Sequence, residues 1–342
     1  MTPVPGSFPA ALYMYTGKEY RMKKPLLFAL LAFIANFLVF DCYFFPERDN
    51  INDPGSGSFI EQCVFVAVGG SGRIMASPDA EIWLDHTISS ETDSFQGVTF
   101  GMDIFLAVGE TGIIYTSPDS ASWDKQDPGV TFWINSAAYG NNTFVAVGEQ
   151  SKIIISSDGE SWTDESEIDG ELSDIVYADN IFVAVGSGGR ILTSTDGREW
   201  TDRTPAGATA YLYSVTWGKG RFVAVGENGT VYTSPDAGAW DEHSVGTADE
   251  IHGVAFGKNR FVAVGTEKIM TSSDGISWDI QTYTGDYLHD ITFGNDIFVA
   301  VGEISGENGM IRTSVDGLTW AEVTTIPDDE PFFYSVECGD IY

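Results

Sequence analysis

Residues 182–200, FVAVGSGGRILTSTDGREW, decide the fold, because both halves of this stretch recur seven times along the chain. The first half, FVAVG or FLAVG, recurs every 37 to 40 residues and begins at Phe65, Phe105, Phe144, Phe182, Phe222, Phe261 and Phe298. The second half, S-x-D-x-x-x-W, keeps an aspartate four residues before a tryptophan in every copy. These pairs are Asp79 and Trp83, Asp119 and Trp123, Asp158 and Trp162, Asp196 and Trp200, Asp236 and Trp240, Asp274 and Trp278, and Asp316 and Trp320. A unit of this length without room for a helix predicts one four-stranded antiparallel sheet per copy.

Seven such units predict an all-β fold, a seven-bladed β-propeller over residues 59–342, because each sheet must bury both faces against its neighbours. In the fourth copy, the pattern predicts the innermost strand at 174–177, the next two at 182–185 and 190–194, and the outermost near Trp200. The two middle strands are almost wholly apolar, which is typical of strands covered on both faces. Glycines and the T-D-G at 195–197 supply the turns between them.

The chain is strongly acidic, with 50 Asp and Glu residues against 17 Lys and Arg residues and a formal net charge of −33. The first 58 residues hold five residues of each sign, so the repeats carry the whole excess. Such a surface repels phosphate backbones, which excludes nucleic acid as a partner. The acidity fits a role in solubility, and it also fits attraction of basic partners or of divalent cations such as calcium. No cofactor is predicted.

The N-terminal region predicts export or membrane attachment, because a basic cluster, Arg21, Lys23 and Lys24, precedes an apolar run at 25–40. No A-x-A cleavage site follows, and Asp41 before Cys42 disfavours lipid attachment, so an uncleaved anchor is preferred over a cleaved signal peptide. The predicted parts are a disordered basic tail at 1–24 with an alternative start at Met22, a signal-anchor or transmembrane segment at 25–45, a linker at 46–58 and the propeller. This arrangement predicts a monomeric extracytoplasmic propeller, periplasmic or at the cell surface.

The S-x-D-x-x-x-W element resembles the Asp-box, or BNR, repeat of sialidase-like β-propellers, whose usual form is S-x-D-x-G-x-T-W. Here the aspartate and tryptophan are one residue closer, and a glycine directly follows the aspartate only at Gly159, Gly197, Gly275 and Gly317. With FVAVG, the pattern is also similar to the propellers of the photosystem II stability and assembly factor family. The resemblance implies that the seven aspartates form turns and that the seven tryptophans pack between blades.

The sequence favours binding over catalysis. A sialidase-type site needs converging arginines beside a tyrosine nucleophile and a glutamate, and the arginines of the repeats are not placed to converge. The four histidines lack the spacing of metal ligands. We therefore predict a non-enzymatic scaffold or recognition propeller that binds a protein or glycan partner on its variable loops, with assembly of a membrane complex as one such role. A carbohydrate-active hydrolase of the sialidase-like type is the alternative.

One acidic position repeats with the motif: Glu110, Glu149, Glu227 and Glu303 each follow FVAVG or FLAVG directly. Closure of the ring would place these glutamates in turns on the same face as the variable loops. They predict a broken ring of carboxylates that binds a basic partner or divalent cations, and solvated turn residues are the alternative.

The end of the chain repeats an earlier segment without its continuation. YSVECGDIY, at 334–342, matches the strand that precedes FVAVG in other copies, so it is predicted to complete the first blade and hide an exposed sheet edge. That pairing would bring Cys338 close to Cys63. In an oxidising compartment the two residues are predicted to form a disulfide, and two free thiols are the alternative.

Overall fold

The structure, a computed structural model, describes residues 63–165, 170–304, 308–324, 326 and 332–340. These residues form 26 β-strands and four short 3-10 turns. The predicted tail, membrane segment and linker lie outside the described residues, as do the first positions of the predicted propeller, 59–62. Within the part that the structure describes, no helix is long and apolar enough to cross a bilayer.

The first five repeats follow the predicted order of strands. The first sheet begins with β1 (Val64–Gly69), β2 (Ile74–Ser77) and β3 (Leu84–Asp85). The second contains β4 (Phe95–Gly101), β5 (Ile104–Gly109), β6 (Ile114–Ser117) and β7 (Asp124–Gln126). The third contains β8 (Ile134–Gly140), β9 (Thr143–Gly148), β10 (Ile153–Ser156) and β11 (Thr163–Asp164). The fourth contains β12 (Leu172–Ala178), β13 (Ile181–Gly186), β14 (Arg190–Ser194) and β15 (Thr201–Asp202). The fifth contains β16 (Leu212–Gly218), β17 (Arg221–Gly226), β18 (Thr230–Ser234) and β19 (Asp241–Ser244).

The sixth sheet is larger, because the sixth and seventh repeats share it. Its six strands are β20 (Ile251–Gly257), β21 (Arg260–Ser272), β22 (Asp279–Gly294), β23 (Ile297–Ile304), β24 (Asn308–Ser314) and β25 (Ala321–Glu322). The last strand, β26 (Phe333–Gly339), pairs with β1 and so belongs to the first sheet. The structure therefore has six sheets, five of four strands and one of six.

The prediction of seven separate four-stranded blades is wrong, since the hydrogen-bonded sheets give six blades. Strand β21 holds both FVAVG and the apolar segment after it, and β22 holds the outer strand of the sixth repeat and the inner strand of the seventh. The turn after FVAVG is shorter here than in repeats two to five, which have a three-residue 3-10 turn. At this shorter turn Thr266 of β21 pairs with Tyr287 of β22, so the strands of the two repeats form one continuous sheet.

Seven inner segments surround one central channel, although the sheets number six. They are β4, β8, β12, β16, β20, the second half of β22, and β26, and residues from each of them line the channel. The pairing of β26 with β1 places Cys338 opposite Phe65. The prediction that the chain's end completes the first blade is confirmed. Cys63 and Cys338 are joined as a disulfide with their Cα atoms 5.6 Å apart.

The core lies between the sheets and is built from the FVAVG strands. In the fourth repeat, Phe182, Val183 and Val185 have no exposed surface, and the corresponding residues of the other repeats are equally buried. Val183 and Val185 pack against Val215 of the next sheet. Burial of each such side chain stabilises the fold by about 1.5–3 kcal/mol. This packing on both faces explains why these strands are uniformly apolar instead of alternating.

The seven aspartates of S-x-D-x-x-x-W all lie in the turns between the third and fourth strands of the repeats. In the fourth repeat, Asp196 Oδ1 accepts hydrogen bonds from Ser194 Oγ at 3.1 Å and from the backbone N–H of Arg198 at 2.9 Å. The serine bond and a backbone bond recur at the other six aspartates: Asp79, Asp119, Asp158, Asp236, Asp274 and Asp316. Each carboxylate thus holds its own turn.

The seven tryptophans of the motif close the same turns and pack between repeats. Trp200 Nε1 donates to the carbonyl oxygen of Gly197 at 3.0 Å, and its ring packs on that of Phe182. Trp320 packs on Phe298 in the same way, but its Nε1 has no hydrogen-bond partner among the described residues. The bond to the carbonyl three residues earlier is also made by the other five: Trp83, Trp123, Trp162, Trp240 and Trp278.

Each of these tryptophans belongs to a hydrophobic cluster that two neighbouring repeats build together. Trp200 packs on a cluster that contains Val145 of the third repeat and Phe182 of the fourth. Trp83, in the first repeat, packs with Val299 of the seventh, so the arrangement continues across the closure of the ring. The same pattern holds for Trp123, Trp162, Trp240, Trp278 and Trp320. This is the position that the Asp-box resemblance implies for them.

Candidate binding site at the channel mouth

Every inner segment contains a β-bulge near its start. In β12, Leu172 pairs with Gly186 and Asp174 pairs with Val185, so Ser173 is the extra residue. The bulged residues of the seven segments are Gln96, Asn135, Ser173, Tyr213, His252, His289 and Tyr334. A bulge re-aims the side chain of its extra residue. All seven side chains line one open cavity of about 320 Å³ at the end of the channel, the channel mouth.

The channel mouth is asymmetric, because four successive bulges carry rings. The ring centroids of Tyr213 and His252 lie 4.9 Å apart, those of His252 and His289 lie 5.8 Å apart, and those of His289 and Tyr334 lie 5.5 Å apart. Tyr211, two residues before Tyr213, extends this row with a centroid distance of 4.8 Å. These five side chains form a continuous aromatic arc along one side of the mouth.

The other side of the channel mouth is polar, and its side chains hold the backbone. Asn135 Nδ2 donates to the carbonyl oxygen of Leu172 at 2.8 Å. Ser173 Oγ donates to the carbonyl oxygen of Val185 at 3.1 Å. These hydrogen bonds occupy two of the three polar bulge residues, so the aromatic arc provides most of the apolar contact surface.

The tyrosines of the arc stay protonated at neutral pH. Burial raises the pKa of Tyr213 to about 12, and the nearby carboxylates of Glu250 and Glu227 add to the shift. Burial raises the pKa of Tyr211 as well, helped by the neighbouring Glu171 carboxylate. Tyr334 is also shifted upward, since burial raises its pKa.

The two histidines of the arc are uncharged at neutral pH. Burial lowers the pKa of His289 to about 4, and the neighbouring His252 contributes to the shift. Burial also lowers the pKa of His252. The arc therefore offers uncharged rings on a strongly acidic protein.

The structure gives two of the four predicted rim glutamates a local structural role. The backbone N–H of Glu227 donates to the carbonyl oxygen of Tyr211, and the N–H of Tyr211 donates back to Glu227 Oε2, both at 2.9 Å. Glu110 makes the same two bonds with Ser94, at 3.0 and 3.2 Å. These two carboxylates accept hydrogen bonds from the backbone just before an inner strand. Glu110 and Glu227 therefore recur at the rim for a structural reason that the sequence did not reveal.

The other two predicted glutamates differ from each other. Glu149 lines the channel mouth together with Glu171. Glu303 lies in β23 opposite Tyr287, and burial raises its pKa. Of the four, Glu149 is among the residues that line the mouth, and the broken ring of carboxylates stays a prediction. Among the described residues, no group of three or more His, Cys, Asp or Glu side chains is arranged to hold a metal ion.

Below the mouth, two aspartates join neighbouring inner strands across the channel, whose cavity has a volume of about 270 Å³. Asp174 accepts hydrogen bonds from Ser136 Oγ at 2.8 Å and from the backbone N–H of Val215 at 2.9 Å. Asp290 accepts from Ser335 Oγ at 2.9 Å and from a backbone N–H of β26 at 3.0 Å. Burial raises the pKa of Asp290 to about 7. These bonds link the first, third, fourth, fifth and seventh repeats around the axis.

Three arginines of the repeats make separate contacts in three different sheets. Arg73 lies over the ring of Phe333, with its guanidinium carbon 4.5 Å from the centroid. Arg190 lies 3.8 Å from Asp202, and Arg312 Nε donates to Asp286 at 2.6 Å. None of the three lines the channel mouth.

Sequence reasoning missed the aromatic arc, although a signal for it exists. Tyr213, His252 and His289 each stand nine residues before the phenylalanine of the following FVAVG. Aligning the seven repeats on FVAVG would have shown this column, which changes from Gln, Asn and Ser to Tyr and His. The motifs that predict the fold are positions that stay the same in every repeat, whereas the mouth is built from a position that varies.

Comparisons with known proteins agree on the architecture. No protein-family model matches the chain, and no curated protein matches it. A solved structure of YCF48 bound to D1 peptide is 20% identical, covers 69% of this chain and 84% of its own, and has a TM-score of 0.55. The chain is a β-propeller. YCF48 from Cyanidioschyzon merolae is 15% identical over 70% of this propeller and 87% of its own chain, with a TM-score of 0.54.

The fold alone does not separate binding from catalysis. Virginiamycin B lyase from Staphylococcus aureus has a TM-score of 0.58 and 13% identity, covering 67% of this propeller and 83% of its own chain. At these identities the likeness shows the fold, and membership of the Asp-box family stays a prediction.

Proposed function

We propose that this propeller is a non-enzymatic recognition protein that binds a segment of a partner protein at the channel mouth. The observation that carries the proposal is the set of seven bulges, which point side chains from every inner segment into one opening. An opening with one aromatic and one polar side favours a single orientation of an extended segment. The structure of YCF48 with D1 peptide, a propeller of similar fold, adds support by analogy.

The rim of the mouth also carries an exposed aromatic side chain. Trp133 lines the mouth and is 41% exposed. Large, rigid aromatic side chains give contact area at a small loss of conformational entropy and are enriched at binding hot spots. Trp133 and the aromatic arc would together contact a bound segment.

Site-directed photo-crosslinking tests the proposal. A photoreactive amino acid at position 133 lies at the mouth, and one at Ile82, 56% exposed in the Asp79 turn, lies at the opposite end of the strands. We expect position 133 to crosslink to one defined segment of one protein in the native membrane or its surroundings, and position 82 not to do so. Equal crosslinking from both positions, or none from position 133, would contradict the proposal.

We further propose that the propeller works outside the cytoplasm, with assembly of a membrane complex as its role. The Cys63–Cys338 disulfide supports an oxidising compartment. Protease added to intact cells should degrade the propeller. Protection of the propeller in intact cells, with degradation only after lysis, would contradict this location.

A further inference from the structure

We propose that the channel mouth takes up a positively charged side chain of the partner segment, and that it binds arginine more tightly than lysine. This inference rests on the proposed function of the mouth and names the chemistry of its ligand. Three observations carry it: the aromatic arc, the carboxylates beside the arc, and the polar contacts that close the other side of the mouth.

The arc is suited to a cation because of its spacing. Cations are attracted to the faces of aromatic rings within about 6 Å of the centroid. Successive centroids along the arc are 4.8 to 5.8 Å apart, so a cation seated against this wall would lie within that distance of two centroids. None of the five rings carries a charge of its own at neutral pH, since the tyrosine pKa values are raised and the histidine pKa values are lowered.

The charged residues that line the mouth are all acidic. Glu149 and Glu171 line the mouth, and no lysine or arginine is among its lining residues. Glu227 and Glu250 lie close enough to shift the pKa of Tyr213. The net charge of −33 also attracts basic segments from a distance.

The combination favours a guanidinium group over an ammonium group. A guanidinium is planar, so it stacks on a ring face while its N–H groups donate in pairs to a carboxylate. Tyr211 and Glu171 both line the mouth, and the Glu171 carboxylate is near enough to help raise the pKa of Tyr211. An ammonium group is compact and more strongly hydrated, so it uses only part of this surface.

Capped tripeptides test the inference with the full-length chain. Ac-Gly-Arg-Gly-NH2 is compared with the same peptide carrying lysine, norleucine or citrulline, the last being a neutral analogue of arginine. Binding is measured by titration calorimetry at low and high salt. We expect the arginine peptide to bind about tenfold more tightly than the citrulline peptide, with lysine between them, and the difference to shrink at high salt.

Matched variants locate the contact. His289→Leu removes a ring of the arc and His289→Phe keeps one, so the first should lose most of the preference for arginine and the second should retain it. Gln96→Leu changes the corresponding bulge on the polar side and is the control. Glu149→Gln with Glu171→Gln should reduce the preference, and Glu160→Gln with Glu199→Gln, in exposed turns at the far end of the strands, should not.

Each result decides the question. Equal binding of arginine and citrulline peptides, no binding of any peptide at millimolar concentration, or equal effects of His289→Leu and Gln96→Leu would overturn the inference. Crosslinking from position 133 is a separate readout. If it finds a partner segment at the mouth while the peptides show no preference for charge, the proposed function stands and only the inference about the cation fails.

Discussion

At the scale of single residues, the turn aspartates are polar groups that recur with the same hydrogen bonds in all seven repeats. The Asp196 carboxylate accepts bonds from Ser194 Oγ and from the backbone N–H groups of Arg198 and Glu199. We expect Asp196→Ala to lower the free energy of unfolding by about 1–2 kcal/mol, because charge-assisted hydrogen bonds are lost. Asp196→Asn, which keeps an acceptor oxygen, should lower it less. Urea denaturation measures both, and equal effects would contradict the role given to the carboxylate.

The channel carboxyls predict how stability changes with pH. Burial raises the pKa of Asp290 and of Glu337 to about 7, well above the unfolded values of about 3.9 and 4.3. Between these limits the folded state holds protons that the unfolded state has released. Their contribution therefore makes the protein less stable as pH rises from about 4 to about 7.

We expect Asp290→Asn with Glu337→Gln to remove part of this decline. The free energy of unfolding of the variant should fall less between pH 5 and pH 7.5 than that of the unaltered protein. The exposed pair Asp241→Asn with Glu160→Gln makes the same two substitutions at solvated positions and is the control. Burial lowers the pKa of the two arc histidines, so their contribution to stability rises with pH. Both variants keep these histidines, so this contribution is the same in the two pH profiles. Parallel pH profiles for both variants would refute the prediction.

The structural role of the residues that recur in every repeat could be predicted from the sequence. The binding role of the position that varies between repeats was not predicted. The aspartate turns follow from local chemistry, since the carboxylate and the N–H groups it binds lie within three residues of each other. The aromatic arc joins residues from four repeats, and its contacts depend on how the inner strands are arranged around the axis. The spacing of nine residues before FVAVG marks equivalent positions in the repeats, but it does not give the distances between their rings.

At the scale of elements, the close approach of neighbouring inner strands depends on glycine. A Cβ atom on Gly140, the last residue of β8, would lie 2.0 Å from the Tyr177 ring of β12. We expect Gly140→Ala to cost about 1–3 kcal/mol, because the rigid ring cannot move away without shifting its strand. In a Tyr177→Ala background the same change should cost almost nothing.

The fourth repeat supplies a matched control for this prediction. Ala178 occupies the position of Gly140 there and packs beside Trp217. Ala178→Gly should relieve no clash, so a stabilised Ala178→Gly variant would argue against the glycine explanation. The coupling free energy between Gly140 and Tyr177 is obtained from thermal unfolding of four proteins: the unaltered protein, Gly140→Ala, Tyr177→Ala and the double variant.

The strands themselves were predictable, and their division into sheets was not. FVAVG and the turns around it place each strand within a few residues of its observed bounds, as in β13 (Ile181–Gly186). The six-stranded sheet arises where Thr266 pairs with Tyr287, a single backbone contact between connections of two repeats. Backbone pairing of this kind is not encoded by side-chain pattern, so seven sequence repeats gave a prediction of seven sheets.

At the scale of the whole molecule, the disulfide and β26 hold the two ends of the ring together. Cys63 and Cys338 are separated by 275 residues in sequence. Breaking the bond should lower the free energy of unfolding by up to about 5 kcal/mol on the chain-entropy model. Unfolding with and without reductant, and of Cys63→Ala with Cys338→Ala, measures the effect. Cys42→Ala should leave the sensitivity to reductant unchanged, whereas an unaltered protein indifferent to reductant would count against the disulfide.

The pairing of β26 with β1 also sets an order of events during synthesis. A ribosome makes β1 before the other strands of the propeller and β26 after them, so β1 has no inner neighbour while all the intervening repeats are being translated. Its backbone N–H and C=O groups form an unpaired edge that can be captured by another chain until β26 has been made. A chain that stopped before β26 would contain all seven FVAVG strands and would still leave the ring open.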